Sequence, residues 1–268
     1  MARSCRSFVP LIAIVGSLLA GCAGISSTAE PRQILAPSGK LRVGLYPGSP
    51  TSTIRDAATG ESKGVGFDLG KEMARRLGVP FEPVVFPKNA EVLAAVKSGE
   101  VDVTFTNATA ERARDMDFTP PFLDVEKSYL VPGDSRIATL ADLDKPGIKV
   151  GVSAGSSTQV ELSSVLKHVQ IVLAPTLKGA IEMLSQRKID AFATNKAILF
   201  EMSDQLPGSR VLSGRWGLEH FSVGIPKGRD SGMPWVKQFV ADATADGAVH
   251  SAVARAGIRG TVKPLAAP

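Results

Sequence analysis

The chain has 268 residues, 44% of them hydrophobic, and a formal charge of +5 at neutral pH. Its charged residues, 21% of the total, are interleaved without a basic run, which excludes the concentrated positive face of a nucleic-acid binder. His168, His220 and His250 lie far apart and lack Cys, Asp or Glu partners at ligand spacing, so neither a metal nor another cofactor is expected.

In chain order, Arg3 and Arg6 precede an apolar run over residues 9–20. That run is shorter than the roughly 20 residues a membrane-spanning helix needs. A charged start, a short apolar stretch and small residues mark residues 1–21 as a signal peptide. The segment ends Leu19-Ala20-Gly21-Cys22, which resembles a bacterial lipobox and implies lipidation of Cys22. Removing residues 1–21 also removes Cys5, so no disulfide can form, and the formal charge falls to +3 with the loss of Arg3 and Arg6. Residues 22–38 contain Ser, Thr, Pro and Gly without clear periodicity and read as a flexible tether.

The remainder alternates short apolar strands with helical patterns, the signature of an α/β fold with parallel strands. Residues 41–46 read as a strand, 66–78 as a helix, 81–86 as a strand, 90–97 as a helix and 101–105 as a strand. After the Pro120-Pro121 break, 126–131 is a strand leaving this unit. A second unit follows, with strands over 148–152, 169–173 and 189–193 and helices over 156–166, 177–186 and 195–205. A strand over 220–225 returns the chain to the first unit, and 233–256 supplies two closing helices.

The two units echo each other. The run 96–102 leads through three strand residues to Thr106-Asn107, and 184–190 leads by the same interval to Thr194-Asn195, with Asp102 matching Asp190. Ligands of open α/β sheets sit beyond the carboxyl ends of strands. Asn107 and Asn195 are therefore expected to face one cleft from opposite lobes.

The stretch from Asn107 to Phe122 begins just past a strand end and holds Arg112 and Arg114. An arginine there can grip a carboxylate through two parallel hydrogen bonds; the alternative is a surface pair with Asp115 or Asp117. Ser156-Ser157-Thr158 suits a helix start, whose unpaired N–H groups favour an anion. Ordinary capping would use the same residues.

Several motifs, in order, carry a resemblance: Gly39-Lys40-Leu41-Arg42-Val43-Gly44, Gly64-Val65-Gly66-Phe67-Asp68-Leu69, Ser98-Gly99-Glu100-Val101-Asp102, Thr109-Ala110-Glu111-Arg112, Asp117-Phe118-Thr119-Pro120-Pro121, Thr139-Leu140-Ala141-Asp142-Leu143 and Val150-Gly151-Val152-Ser153. From residue 39 to 256 the chain resembles family 3 extracellular solute-binding proteins, which serve polar amino-acid ABC importers. The resemblance implies a type II periplasmic binding fold of two lobes, 39–130 with 222–256 and 131–221, joined by two hinge strands. Residues 257–268 would be a tail. It places Arg112, Ser156 and Ser157 on a ligand carboxylate, and Asn107 and the Phe105 carbonyl on the ligand's amino group or carboxylate. Tyr46, Ser49, Asn89 and Asn195 complete the expected pocket. It implies an exported, lipid-anchored monomer, periplasmic or at the cell surface, whose partners are a small solute and an ABC permease.

The chain departs from that pattern at Asn195, where amino-acid binders carry an acidic residue for the ligand ammonium. Glu219 or Glu126 near the hinge is available instead; otherwise a carboxylate with a neutral polar remainder suits Arg112, Asn107 and Asn195 better than an amino acid. The family also contains periplasmic dehydratases of the cyclohexadienyl type, which need a general acid in the cleft. Separately, Gly151-Val152-Ser153-Ala154-Gly155 matches a nucleophile elbow, with Asp190 or Asp204 and then His220 or His250 following in hydrolase order. The reading favoured here is binding without catalysis.

Overall fold

The computed structural model describes Met1 and residues 29–262; the rest of the signal segment, Cys22 and residues 263–268 lie outside the described residues. The elements in chain order are α1 (Ala29–Leu35), β1 (Leu41–Leu45), β2 (Ile54–Arg55), β3 (Ser62–Lys63), α2 (Val65–Leu77), β4 (Phe81–Val85), α3 (Asn89–Ser98), β5 (Val103–Asn107), β6 (Met116–Phe118) and β7 (Leu123–Val131). Then come β8 (Lys149–Ser153), α4 (Ser157–Val165), β9 (Gln170–Ala174), α5 (Leu177–Ser185), β10 (Ala191–Asn195), α6 (Lys196–Gln205), β11 (Arg210–Val211), β12 (Gly217–Pro226), α7 (Met233–Ala245), α8 (Ala248–Arg255) and β13 (Thr261–Val262).

The main sheet runs β4-β1-β5-β12-β7-β10-β8-β9. Its first half is three parallel strands closed by antiparallel β12, and its second half repeats this with β9, β8, β10 and antiparallel β7. The two long return strands β7 and β12 pair with each other at the middle, Leu123 to Phe221 and Lys127 to Gly217 marking the ends of the register. The apolar core divides accordingly. One cluster joins Leu41, Val43, Leu69, Met73, Val223 and Phe239, while others join Val150, Val152 and Leu162, or Leu184, Phe192 and Leu199. Helix α2 shows why the packing works locally: Val65, Leu69, Met73 and Leu77 recur every four residues and are all buried.

The repeated aspartates have a structural task in each lobe. Asp102 accepts from the Arg42 N–H at 2.9 Å and Asp190 from the Lys149 N–H at 2.8 Å, so each ties the start of its lobe's third strand to the first strand. This clamp also explains why β5 and β10 begin two residues later than the apolar runs suggest, at Val103 and Ala191.

Two expectations at the chain's ends need correction. The tether expected over 22–38 is helical over Ala29–Leu35, because Pro31 falls in the first turn where its missing N–H is harmless. Leu35 is buried in the first lobe's core, and Arg32 Nε donates to the Leu77 carbonyl at 2.5 Å, capping α2. The tail expected over 257–268 includes β13, which pairs antiparallel with β7 at Val125 and Asp124. There β7 has not yet reached its first β10 pairing, at Lys127, and would otherwise leave backbone groups unpaired on that edge.

Candidate ligand-binding cleft

The cleft lies between the lobes, where β1, β5, β8 and β10 end. Tyr46, Asn89, Phe105, Asn107, Arg112, Ser156, Ser157 and Asn195 all line it, together with Thr106, Ser153, Thr176, Thr194, Glu219 and Phe221. Ser49 does not. It is fully buried behind the β1 loop, sharing a 2.8 Å hydrogen bond with Thr51, because the chain folds back through Pro47 and Thr53 there. Tyr46 does face the cleft, and burial pushes its hydroxyl up to about 12, partly opposed by Ser49.

Arg112 opens a short 3-10 turn after β5, with its own N–H on Thr109 Oγ1 at 3.2 Å. Its Nη1 donates to Thr106 Oγ1 at 2.8 Å and to the Asn107 carbonyl at 2.9 Å. Among the described residues, Nε and Nη2 have no partner. One edge of the guanidinium is thus fixed while its other donors stay available to the cleft. The surface alternative fails, since Asp115 pairs with Lys97 and Asp117 with Lys227. Burial lowers the Arg112 pKa, partly offset by Glu219; a charged guanidinium with open donors in this setting favours an anion.

Helix α4 approaches from the other lobe. Ser156 caps it by accepting from the Gln159 N–H at 3.1 Å, which leaves the Ser157 and Thr158 N–H groups without partners among the described residues. Asn107 Nδ2 donates to Ser157 Oγ at 3.2 Å, joining the two lobes. Gly155, at φ 72°, sits where a Cβ would come within 2.9 Å of Ala90.

A carboxylate from the hinge strand lines the cleft beside Asn195. Glu219 on β12 is 7% exposed and accepts from Asn195 Nδ2 at 2.8 Å. Asn195 Oδ1 meanwhile accepts from the Ile198 N–H at 3.1 Å, capping α6. Burial raises the Glu219 pKa, opposed by the Asn195 hydrogen bond and by the charges of Arg112 and Lys127. Both amide groups of Asn195 are therefore engaged within the protein. The same is true of Asn107, whose Oδ1 accepts from the His220 N–H at 2.8 Å. The other hinge candidate, Glu126, pairs instead with Lys196 at 2.5 Å and Arg215 at 3.2 Å. Strand periodicity sets Glu219 on one face with Phe221, Val223 and Ile225.

A family model for bacterial extracellular solute-binding proteins, family 3, matches residues 41–255. The chain belongs to this family. A glutamine-binding protein of Geobacillus stearothermophilus is 26% identical over 240 residues, covering 81% of this chain and 90% of that one. A solved solute receptor for L-cysteine of Neisseria gonorrhoeae superposes with a TM-score of 0.75 at 23% identity, over 84% of this chain and 92% of that one. An ancestral amino acid-binding protein, a precursor of cyclohexadienyl dehydratase, gives 0.71 at 23% identity, over 84% and 98%. The two-lobed fold expected from the motifs is thereby shown.

The elbow glycines of this solute-binding protein serve packing. A Cβ on Gly151 would come within 2.5 Å of Ile189, and Gly155 permits the close approach to Ala90. No histidine is hydrogen-bonded to Ser153: His220 Nδ1 pairs with Asp124 at 2.7 Å, Asp190 holds Lys149, and Asp204 holds Arg259. His250 lies on α8 in the first lobe.

Proposed function

We propose that this chain is the substrate-binding lipoprotein of an ABC importer and captures an α-amino acid by closure of its two lobes. The observation that supports it best is the meeting, in one cleft, of open Arg112 donors from one lobe and unpaired α4 N–H groups from the other. Both recognise a carboxylate. Ligand first held on one lobe gains contacts from the second only on closure, which is what favours the closed state. The lobes, 39–130 with 222–256 and 131–221, hinge on β7 and β12. The relatives described as glutamine-binding and as a receptor for L-cysteine make an amino acid the class to test first. The chain is exported, held to a membrane through lipid on Cys22, and presents its closed form to a permease as a monomer.

A second reading is supported by Glu219. Burial raises the Glu219 pKa and so favours its protonated form, which can serve as the general acid that elimination of water from a cyclic acid requires. Equilibrium dialysis of residues 22–268 against labelled amino acids separates the two. An amino acid retained and recovered chemically unchanged is the expected result. Conversion of a cyclohexadienyl hydroxy acid would favour the dehydratase, and retention of neither would overturn both. Mass spectrometry of the membrane-bound chain tests the anchor, with diacylglyceryl expected on Cys22 and lost in Cys22→Ser.

A further inference from the structure

The charged groups lining the cleft are Arg112, Lys88 and Glu219. Glu219 is the single carboxylate among them. It stands on β12, the return strand, rather than at the end of β10, and it is buried to 7% exposure with Asn195 as its one side-chain hydrogen-bond partner among the described residues. Arg112 and Glu219 form no ion pair with each other among the salt bridges within 4.0 Å. One sheltered guanidinium and one sheltered carboxyl therefore face the same space without pairing directly, and with the carboxyl ionised they are the complement of a zwitterion. Each gains from a ligand group of opposite charge, because an unpaired buried charge is costly.

Resting on the proposed function above, we infer that Glu219, oriented by Asn195, receives the ligand's α-ammonium group, and that the cleft therefore takes amino acids whose side chains carry no positive charge. The second clause follows from counting anions. Once Glu219 holds the α-ammonium, a lysine or arginine side chain meets no further carboxylate in the lining, only Lys88 and Arg112. A buried cation without a partner is rejected by desolvation. Asn195 acts here as a positioning residue: its Nδ2 fixes one carboxylate oxygen, leaving the other to the ligand.

The test is calorimetric titration of the mature chain with the common amino acids, and with the des-amino analogue of whichever binds most tightly. Glu219→Gln keeps the shape of the side chain and removes its charge. The expected result is that a neutral or acidic amino acid binds the wild type, and that Glu219→Gln weakens it by at least about 100-fold. The des-amino analogue binds both proteins within a few-fold of each other. Asn195→Asp combined with Glu219→Gln returns a carboxylate to the ammonium and recovers much of the affinity, which shows that charge rather than misfolding was lost. Amino-acid binding undiminished in Glu219→Gln, or tight binding of arginine or lysine alone, overturns this inference and leaves the proposed function standing. A wild type that binds no amino acid overturns both.

Discussion

Asn195 Nδ2 donates to Glu219 at 2.8 Å while Asn195 Oδ1 accepts from the Ile198 N–H at 3.1 Å, so one amide caps α6 and aims a buried carboxylate at the cleft. Removing it strips both groups at once. Asn195→Ala loses an N-cap, about 1 kcal/mol, and leaves Glu219 without its hydrogen bond, about 1–3 kcal/mol more. For a chain of this size that lowers Tm by roughly 5–12 °C in a thermal melt. Asn195→Asp keeps the cap but sets two carboxylates in contact, raising the pKa of the pair. Its stability deficit should therefore be absent in acid and grow as pH rises above the ordinary carboxylate range.

Ligand binding is linked to the Glu219 proton. Burial holds this carboxyl above the usual glutamate value in the free protein, with Arg112 and Lys127 opposing the shift. An ammonium group binds the ionised form, so binding expels the proton and affinity falls as pH drops through the raised pKa. Calorimetry in two buffers of different ionisation enthalpy should show proton release at mildly acid pH for the wild type and none for Glu219→Gln.

The lobes meet at Gly155 and Ala90, and a side chain at 155 faces both a left-handed backbone and a 2.9 Å contact. Gly155→Val should weaken amino-acid affinity by more than tenfold, since the closed state alone carries the clash. The expected cost to the stability of the lobe that carries Gly155 is about 1–2 kcal/mol of backbone strain.

The repeat places Gly99 and Arg187 at the same position after helices α3 and α5, and both adopt positive φ, 74° and 56°. Arg187 is the one non-glycine residue with positive φ among those described. Its side chain bonds Asp134, but that pair is exposed and contributes little. Arg187→Gly should therefore stabilise the protein by about 0.5–1 kcal/mol, or a few degrees of Tm, whereas Gly99→Ala should destabilise it by a similar amount.

Much of this architecture was legible because each lobe's strands and helices are short and bounded by turns. The matched runs ending in Thr106-Asn107 and Thr194-Asn195 told where two strands end facing one space. Periodicity could not separate Asp102 and Asp190 from strand residues, because their carboxylates act on distant backbone at Arg42 and Lys149. Helix α1 was hidden for a related reason: seven residues hold a helix only through tertiary anchors such as Leu35 and Arg32. Ser49 was misplaced because its loop doubles back, and loop geometry leaves no period to read. Of the two hinge carboxylates the sequence offers, Glu219 lines the cleft while Glu126 pairs with Lys196 and Arg215, a choice set by the fold and not by any local pattern.

The central claim is that the cleft grips a carboxylate between Arg112 and the start of α4. The direct measurement is a thermal-shift series on residues 22–268 with free amino acids and their C-terminal amides, run beside Arg112→Ala. At 100 times its dissociation constant a ligand adds about 2.7 kcal/mol, raising Tm by roughly 5–10 °C. The account predicts that shift for at least one free amino acid on the wild type, none for its amide, and none for either on Arg112→Ala. A shift that persists with the amide, or in the variant, would contradict it.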